Sequence, residues 1–194
     1  MEYILLAISA IFVNNVVLSQ FLGICPFLGV SKKMSTAAGM GAAVTFVLTL
    51  ATIVTYLLQK YVLNAFHIEY MQTILFILVI AALVQMVEII LKKMSPSLYS
   101  ALGVFLPLIT TNCCILGVAI IVGNGVADGS YDLVKGVVYA IATALGYALA
   151  LILFSVLREH LELMEVPVAM KGTPIALLTA GLMAMAFVGF SGMV

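Results

Sequence analysis

The sequence predicts an all-α integral membrane protein with six transmembrane helices, arranged as two inverted three-helix repeats. Three observations support this prediction. The composition is 65% hydrophobic and only 8% charged, whereas soluble domains carry roughly 25% charged residues. The apolar residues form six segments, each long enough for the roughly 20 residues that a membrane-spanning helix needs. A short cysteine-containing motif occurs in the first of these segments and again in the fourth.

Short polar connections separate the predicted spans and leave no room for a separate soluble domain. The spans cover residues 3–30, 36–58, 71–91, 98–123, 133–157 and 172–193. We therefore treat residues 1–194 as one membrane domain, with 1–95 as the first repeat and 96–194 as the second, inverted repeat. The first span has no positively charged start and is too long for a signal peptide, so we expect it to be retained.

Lysine and arginine are distributed unevenly between the two sides of the predicted bundle. Lys60 and Lys135 fall on one side, and the other side holds Lys32, Lys33, Lys92, Lys93, Arg158 and Lys171. Cytoplasmic connections are enriched in positive charge. We therefore expect the richer side to be cytoplasmic and both termini to face outward. The net charge of zero gives no indication of a nucleic-acid partner.

The repeated motif is LGICPFLGV at residues 22–30 and TTNCCILGV at residues 110–118. Aligned on Cys25 and Cys113, both segments read C-x-x-L-G-V. With three spans in each half, the second half enters the membrane from the opposite side, so the two halves are inverted. The motif then lies in the first helix of each half, where an inverted repeat places equivalent features.

Helix-breaking residues accompany both copies of the motif. Gly23 and Pro26 flank the first cysteine, whereas Pro107 and Gly117 lie on either side of the second. Discontinuous helices at corresponding positions of inverted halves indicate a site near the bilayer midplane. We therefore predict that the first and fourth helices are broken there. A pair of proline kinks with packing cysteines is the alternative reading.

The cysteine count limits what such a site can bind. Cys25 and Cys113 could provide half of a four-coordinate metal centre. Cys114 points about 100° away from its neighbour on a helix, and the repeat aligns it with a proline, so we expect it to pack. His67 and His160 lie in predicted connections, where a surface position is expected. A metal centre here would therefore need ligands from a second chain.

Polar residues inside the spans are further candidates for a functional site. Asn14 and Asn15 lie halfway along the first span, Thr111 and Asn112 precede the second cysteine motif, and Glu88 lies in the third span. Polar groups at such depth are costly and often functional. The amides could instead satisfy backbone groups that the breaks leave free. Glu88 could instead form a surface ion pair with the lysine one helical turn later.

Three long segments resemble a known family of membrane proteins. They are VNNVVLSQFLGICPFLGVSKK at 13–33, ALGVFLPLITTNCCILGVAI at 101–120 and TAGLMAMAFVGFSG at 179–192. The chain resembles, over essentially its whole length, the A subunits of Rnf complexes, the ion-translocating ferredoxin:NAD⁺ oxidoreductases. The homologous E subunit of the sodium-translocating NADH:quinone oxidoreductase is the nearest alternative. The Cys-Pro-Phe and Thr-Thr-Asn-Cys forms are more similar to Rnf.

The resemblance implies a protein without substrate chemistry of its own. Cys25 and Cys113 fall on the family's ligand positions for an intramembrane [2Fe–2S] cluster, and the homologous E subunit of Rnf would supply the other two ligands. Cys114 departs from the family, in which alanine is common at that position. The implied partners are the E, D, G, B and C subunits of Rnf in a bacterial or archaeal cytoplasmic membrane. Electron transfer from ferredoxin to NAD⁺ would be coupled to Na⁺ or H⁺ movement.

Two other classes of protein fit the pattern without the resemblance. A secondary transporter would also have inverted repeats with broken helices, and its cysteines would tolerate serine. A scaffold protein would use its cysteines only for packing and would bind no iron.

Overall fold

The computed structural model describes residues 2–31, 33–64, 69–94, 106–164, 167 and 170–190, and all regular structure in these ranges is helical. The α-helices are α1 (Glu2–Ile8), α2 (Ile24–Val30), α3 (Met34–Leu58), α4 (Gln72–Met94), α5 (Leu106–Thr110), α6 (Cys113–Ala127), α7 (Leu133–Glu162) and α8 (Thr173–Val188). Helices α1 and α3 continue as π-helical turns over Ser9–Val13 and Gln59–Leu63, and a 3₁₀ turn at Glu69–Met71 precedes α4. The all-α prediction is confirmed over the described residues.

Four helical stretches are long and apolar enough to cross a membrane, and they match the second to fifth predicted spans. They are Met34–Leu63, Gln72–Ile90, Pro107–Ala127 and Leu133–Glu162. The first and sixth predicted spans contain the shorter apolar helices Tyr3–Val13 and Thr173–Val188. A membrane protein is therefore confirmed, whereas six spans and inverted repeats stay predictions. The repeat boundary at 95/96, the segments 98–105 and 191–193, Lys32 and His67 lie outside the described residues.

Helices α3 and α7 form the centre of the bundle and contact each other along their length. Gly41 of α3 meets Ala148 of α7 so closely that a Cβ on the glycine would lie 2.9 Å from the alanine Cβ. Small residues at such crossings let membrane helices approach and gain packing contacts. The buried face of α7 repeats every three or four residues, as helical packing requires: Ala140, Ala144, Tyr147, Leu151 and Phe154.

Two pairs of connections that are predicted to share a membrane side lie close together in the bundle. Arg158, near the end of α7, donates a hydrogen bond to the carbonyl of Leu28 in α2 (2.8 Å) and another to the hydroxyl of Ser31, the residue that follows α2 (3.1 Å). At the other end, Gln72 at the start of α4 packs against Gly123 near the end of α6. The described geometry therefore agrees with the alternation of sides expected from the sequence.

Helices α4 and α8 expose apolar surface to the outside of the bundle. A soluble protein would seldom leave such continuous apolar faces uncovered, whereas lipid or a partner membrane subunit can cover them. The exposed side chains are Ile74, Ile77, Leu78, Met86, Ile89 and Ile90 on α4 and Leu177, Leu178, Leu182, Met185 and Val188 on α8.

Candidate functional site

The first predicted span is broken over residues 14–23, before Cys25. Phe21 and Gly23 have positive φ angles of 57° and 80°, a conformation that non-glycine residues rarely adopt. Gly23 precedes α2, so Cys25 lies in the first turn of this helix and is exposed. Pro26 follows it, in a turn where a missing N–H is tolerated. The predicted break is confirmed, but Pro26 helps to begin α2 and does not interrupt a helix.

Asn15 organises the first break through four hydrogen bonds, although it is only 1% exposed. Its Nδ2 donates to the carbonyls of Ile11 (3.0 Å) and Gly146 (2.9 Å). Its Oδ1 accepts from the N–H groups of Val17 (3.1 Å) and Leu18 (3.4 Å). The amide therefore satisfies the backbone groups of Ile11, Val17 and Leu18 at the break, as the alternative interpretation of the sequence proposed. It also ties the break to α7.

Asn14 has a different environment from its neighbour. It is exposed, and its Nδ2 donates to the Ser9 hydroxyl at 3.3 Å. With Gln20, Tyr131 and Tyr139 it lines a cavity of about 550 Å³. A role for Asn14 in an ion path therefore has open space beside it that is lined in part by polar side chains, and that role stays a prediction.

The second break is confined to Thr111 and Asn112, between α5 and α6. The Thr111 N–H and hydroxyl both donate to the Pro107 carbonyl, at 3.1 and 2.9 Å. Asn112 has extended backbone angles, and its Oδ1 accepts from the N–H of Cys114 at 3.0 Å. This is an asparagine N-cap, which places Cys113 at the first residue of α6. An interruption in the fourth predicted span is confirmed, whereas the position of both breaks near the bilayer midplane stays a prediction.

The two breaks meet at Gly23 and Cys113, which lie 90 residues apart in the chain. The Gly23 N–H donates to the Cys113 Sγ at 2.9 Å. A Cβ on Gly23 would lie 2.9 Å from Tyr147 Cε2 and 3.1 Å from Asn112 Oδ1. Both its φ angle and the close packing therefore require glycine. The contact brings the segment that carries Cys25 against the segment that carries Cys113.

The three cysteines differ in exposure. Cys25 is exposed, Cys113 is half-buried, and Cys114 is 0% exposed, which agrees with packing as its expected role. All three thiols are free. Within the described ranges, no group of three or more His, Cys, Asp or Glu side chains is placed to hold a metal ion. The ligand roles of Cys25 and Cys113 stay predictions.

The residues present fit one half of a shared iron–sulfur site. Both candidate ligands lie at starts of helices, a backbone N–H already contacts one sulfur, and the exposed thiol of Cys25 leaves room for a second chain. Two further donors at the meeting of the breaks, the Asn112 Nδ2 and the Tyr147 hydroxyl, are buried and have no hydrogen-bond partner. Donors of this kind suit a site that surrounds sulfur.

Sequence analysis missed the contribution of α7 to this site. The Gly146 carbonyl accepts a hydrogen bond from Asn15, and Tyr147 packs against Gly23. Further along α7, the ring of Phe154 stacks on Phe27 with centroids 4.3 Å apart, and Arg158 binds the end of α2. Only Arg158 gave a local signal, as a charge at the end of a span. The other contacts depend on how distant segments pack.

Glu88 and Thr111 complete the set of predicted residues. Glu88 is half-buried on α4, within neither break. Thr111 is exposed and uses its hydroxyl to close the end of α5. Their suggested roles in an ion path or around a cluster stay predictions.

Comparisons with known proteins place the chain among membrane subunits of redox complexes. A family model described as "Rnf-Nqr subunit, membrane protein" matches residues 3–194. The A subunit of the Na(+)-translocating ferredoxin:NAD(+) oxidoreductase complex of Acetobacterium woodii is 60% identical over 100% of this chain and 98% of its own length. The A subunits of two ion-translocating oxidoreductase complexes are also similar. The subunit from Syntrophotalea carbinolica is 56% identical over 98% of this chain and 97% of its own length. The subunit from Vibrio cholerae is 52% identical over 100% of this chain and 98% of its own length.

Proposed function

The chain belongs to the Rnf-Nqr family of membrane subunits, and from that premise we propose that it is the A-type subunit of an ion-translocating ferredoxin:NAD⁺ oxidoreductase. The A-type relatives match it over nearly their whole length. The complex would move electrons from reduced ferredoxin to NAD⁺ and couple this to movement of Na⁺ or H⁺. The chain acts as a non-autonomous part of that enzyme and performs no substrate reaction alone.

In the proposed assembly, Cys25 and Cys113 hold one side of a [2Fe–2S] cluster inside the membrane. The homologous E subunit holds the other side, and the D, G, B and C subunits complete the complex. One observation carries this proposal: the Gly23 N–H contacts the Cys113 sulfur at 2.9 Å. That contact joins the two breaks, each of which carries one of the candidate ligands.

Such a cluster would supply one-electron transfer within the bilayer, and the residues of this chain prepare its place. The Gly23 N–H holds the Cys113 sulfur in position, and the Asn112 amide caps the helix that begins there. Asn15 fixes the backbone ahead of Cys25. Cys114 and Tyr147, both 0% exposed, exclude water from the inner side.

The coupling ion would respond to charge at this site. In a medium of low dielectric constant a unit charge is felt strongly by its neighbours, so adding an electron favours the approach of a cation. Asn14 and the cavity beside it are our candidates for the ion path on the outer side, with Thr111, Asn112 and Glu88 as further candidates. Asn15 uses its amide for the backbone, which favours a structural role for that residue.

We place the protein in a bacterial or archaeal cytoplasmic membrane with both termini on the outer side. The bonds from Arg158 to Leu28 and Ser31 support the placement of the ends of α2 and α7 on one side, and the excess of positive charge predicts that this side is cytoplasmic. In a variant that lacks the three native cysteines, Glu2→Cys introduces a single thiol near the N-terminus. This thiol should react with a membrane-impermeant thiol reagent that is added outside intact cells. A cysteine in place of Lys93 should react only after lysis.

Low-temperature EPR with iron quantification tests the cluster proposal. The chain is purified in its complex, unsubstituted and as Cys25→Ser, Cys113→Ser and Cys114→Ser. We expect a reducible binuclear signal that is lost in the first two variants and kept in the third. If a folded, assembled complex of the unsubstituted chain lacks this signal, the redox proposal is wrong. If the protein then keeps its function with serine at both cysteine positions and also binds a solute, the interpretation as a secondary transporter is favoured.

A further inference from the structure

Two buried polar atoms at the meeting of the breaks have no hydrogen-bond partner. They are the Nδ2 of Asn112 and the hydroxyl of Tyr147, in side chains that are 3% and 0% exposed. Leaving one such group unsatisfied costs about 1–3 kcal/mol. Buried polar groups without partners are uncommon, and a redox role is one of the known reasons for them.

Both side chains lie against Gly23, whose N–H contacts the Cys113 sulfur. The Tyr147 ring edge and the Asn112 Oδ1 both touch the space that a Cβ on Gly23 would fill, at 2.9 and 3.1 Å. The Tyr147 hydroxyl lies near the Asn112 side chain and near the thiols of Cys114, Cys113 and Cys25. Because the Asn112 Oδ1 is bound to the N–H of Cys114, the amide keeps its Nδ2 free to donate elsewhere.

We propose that Tyr147 and Asn112 are positioning residues that donate hydrogen bonds to the sulfur atoms of the iron–sulfur site and thereby raise its reduction potential. This inference rests on the proposed function. A hydrogen bond to sulfur stabilises the reduced form more than the oxidised form, because the reduced form carries one more negative charge. The reaction concerned is the addition of one electron to the site, and neither residue gains or loses a proton in it.

Potentiometric EPR on the assembled complex tests the proposal. Tyr147→Phe removes the hydroxyl and keeps the ring, and Asn112→Ser removes the Nδ2 but keeps a good N-cap. We expect both variants to keep their iron and to shift the reduction equilibrium about tenfold toward the oxidised form. This shift corresponds to a reduction potential that is about 59 mV lower for a one-electron couple. Tyr56→Phe, at a buried tyrosine of α3, is the matched control and should leave the potential unchanged.

Pulsed EPR in D₂O gives a second readout that a purely structural role would not change. We expect an exchangeable proton coupled to the reduced site in the unsubstituted complex, with a coupling that is lost in Tyr147→Phe. Unchanged potentials in both variants would overturn the inference, and so would loss of iron from variants that still assemble. Absence of any binuclear signal before substitution would instead overturn the proposed function itself.

Discussion

The two helix breaks both place a cysteine in the first turn of a helix, but they are built in different ways. The second break is short and local, because Asn112 caps α6 and Thr111 closes α5 onto Pro107. The first break covers residues 14–23 and depends on contacts with α7, which lies more than a hundred residues away in sequence. A shared sequence motif therefore does not imply a shared local structure.

The difference predicts that the two breaks respond unequally to loss of their asparagines. Asn15→Ala removes four hydrogen bonds inside the bundle, and we expect the free energy of unfolding to fall by about 3 kcal/mol. The midpoint of thermal unfolding of the purified complex in detergent measures this change. Asn14→Ala is the control, because Asn14 is exposed and makes a single side-chain hydrogen bond at 3.3 Å. Equal losses at both positions would contradict the role given to Asn15.

Gly23→Ala tests the point where the two breaks meet. Its positive φ costs an alanine about 1–2 kcal/mol, and the new Cβ would collide with Tyr147 at 2.9 Å. Gly129→Ala is the matched control, since Gly129 has a φ of 71° but open space around it. The same thermal measurement should show a clearly larger loss for Gly23→Ala. A loss no larger than that of the control would mean that the close approach contributes nothing.

Arg158→Met should loosen the first break and leave the second intact. The substitution removes the hydrogen bonds that the guanidinium group donates to Leu28 and Ser31. One guanidinium nitrogen makes both bonds, so we count them together and expect them to contribute roughly 1.5–3 kcal/mol to stability. Amide hydrogen exchange should accelerate in α2 much more than in α6. Arg158→Lys keeps the charge and should give an intermediate rate. Uniform acceleration along the chain would show that Arg158 stabilises the bundle as a whole.

Asn112→Ala should produce the smallest effect, at the second break alone. Loss of an N-cap costs about 1 kcal/mol, and exchange should increase in the first turn of α6. Asn112→Ser restores a capping oxygen and should return the exchange rate close to that of the unsubstituted chain. An equal increase in both variants would show that the amide stabilises this turn by some means other than capping.

The sequence was informative where local chemistry decides the structure. Helix-breaking residues around Cys25 and Cys113 predicted both interruptions, and the asparagine before Cys113 is a recognisable N-cap. The prolines were less informative, because Pro26 and Pro107 both lie within helical turns near helix starts.

Long-range contacts could not be predicted from these local patterns. Asn15 and Gly146 are 131 residues apart, and nothing in the segment around either residue marks the other. The repeated motif did pair the segments that carry Cys25 and Cys113, but it did not predict the contact of the Gly23 N–H with the Cys113 sulfur. Tyr147 belongs to a regular buried stripe of α7, which by itself indicates packing only. Its unpartnered hydroxyl becomes visible only when the two breaks are placed against it.

The contacts of α7 with the first break are spread over residues 146–158, which is about 18 Å of helix at 1.5 Å per residue. They hold the break itself at Asn15 and Gly23, and they hold α2 at Phe27 and Leu28. The segment with Cys25 is therefore joined to the second half of α7 at several points along its length. We expect a displacement of Cys25 to be transmitted through these contacts along α7 as far as Arg158.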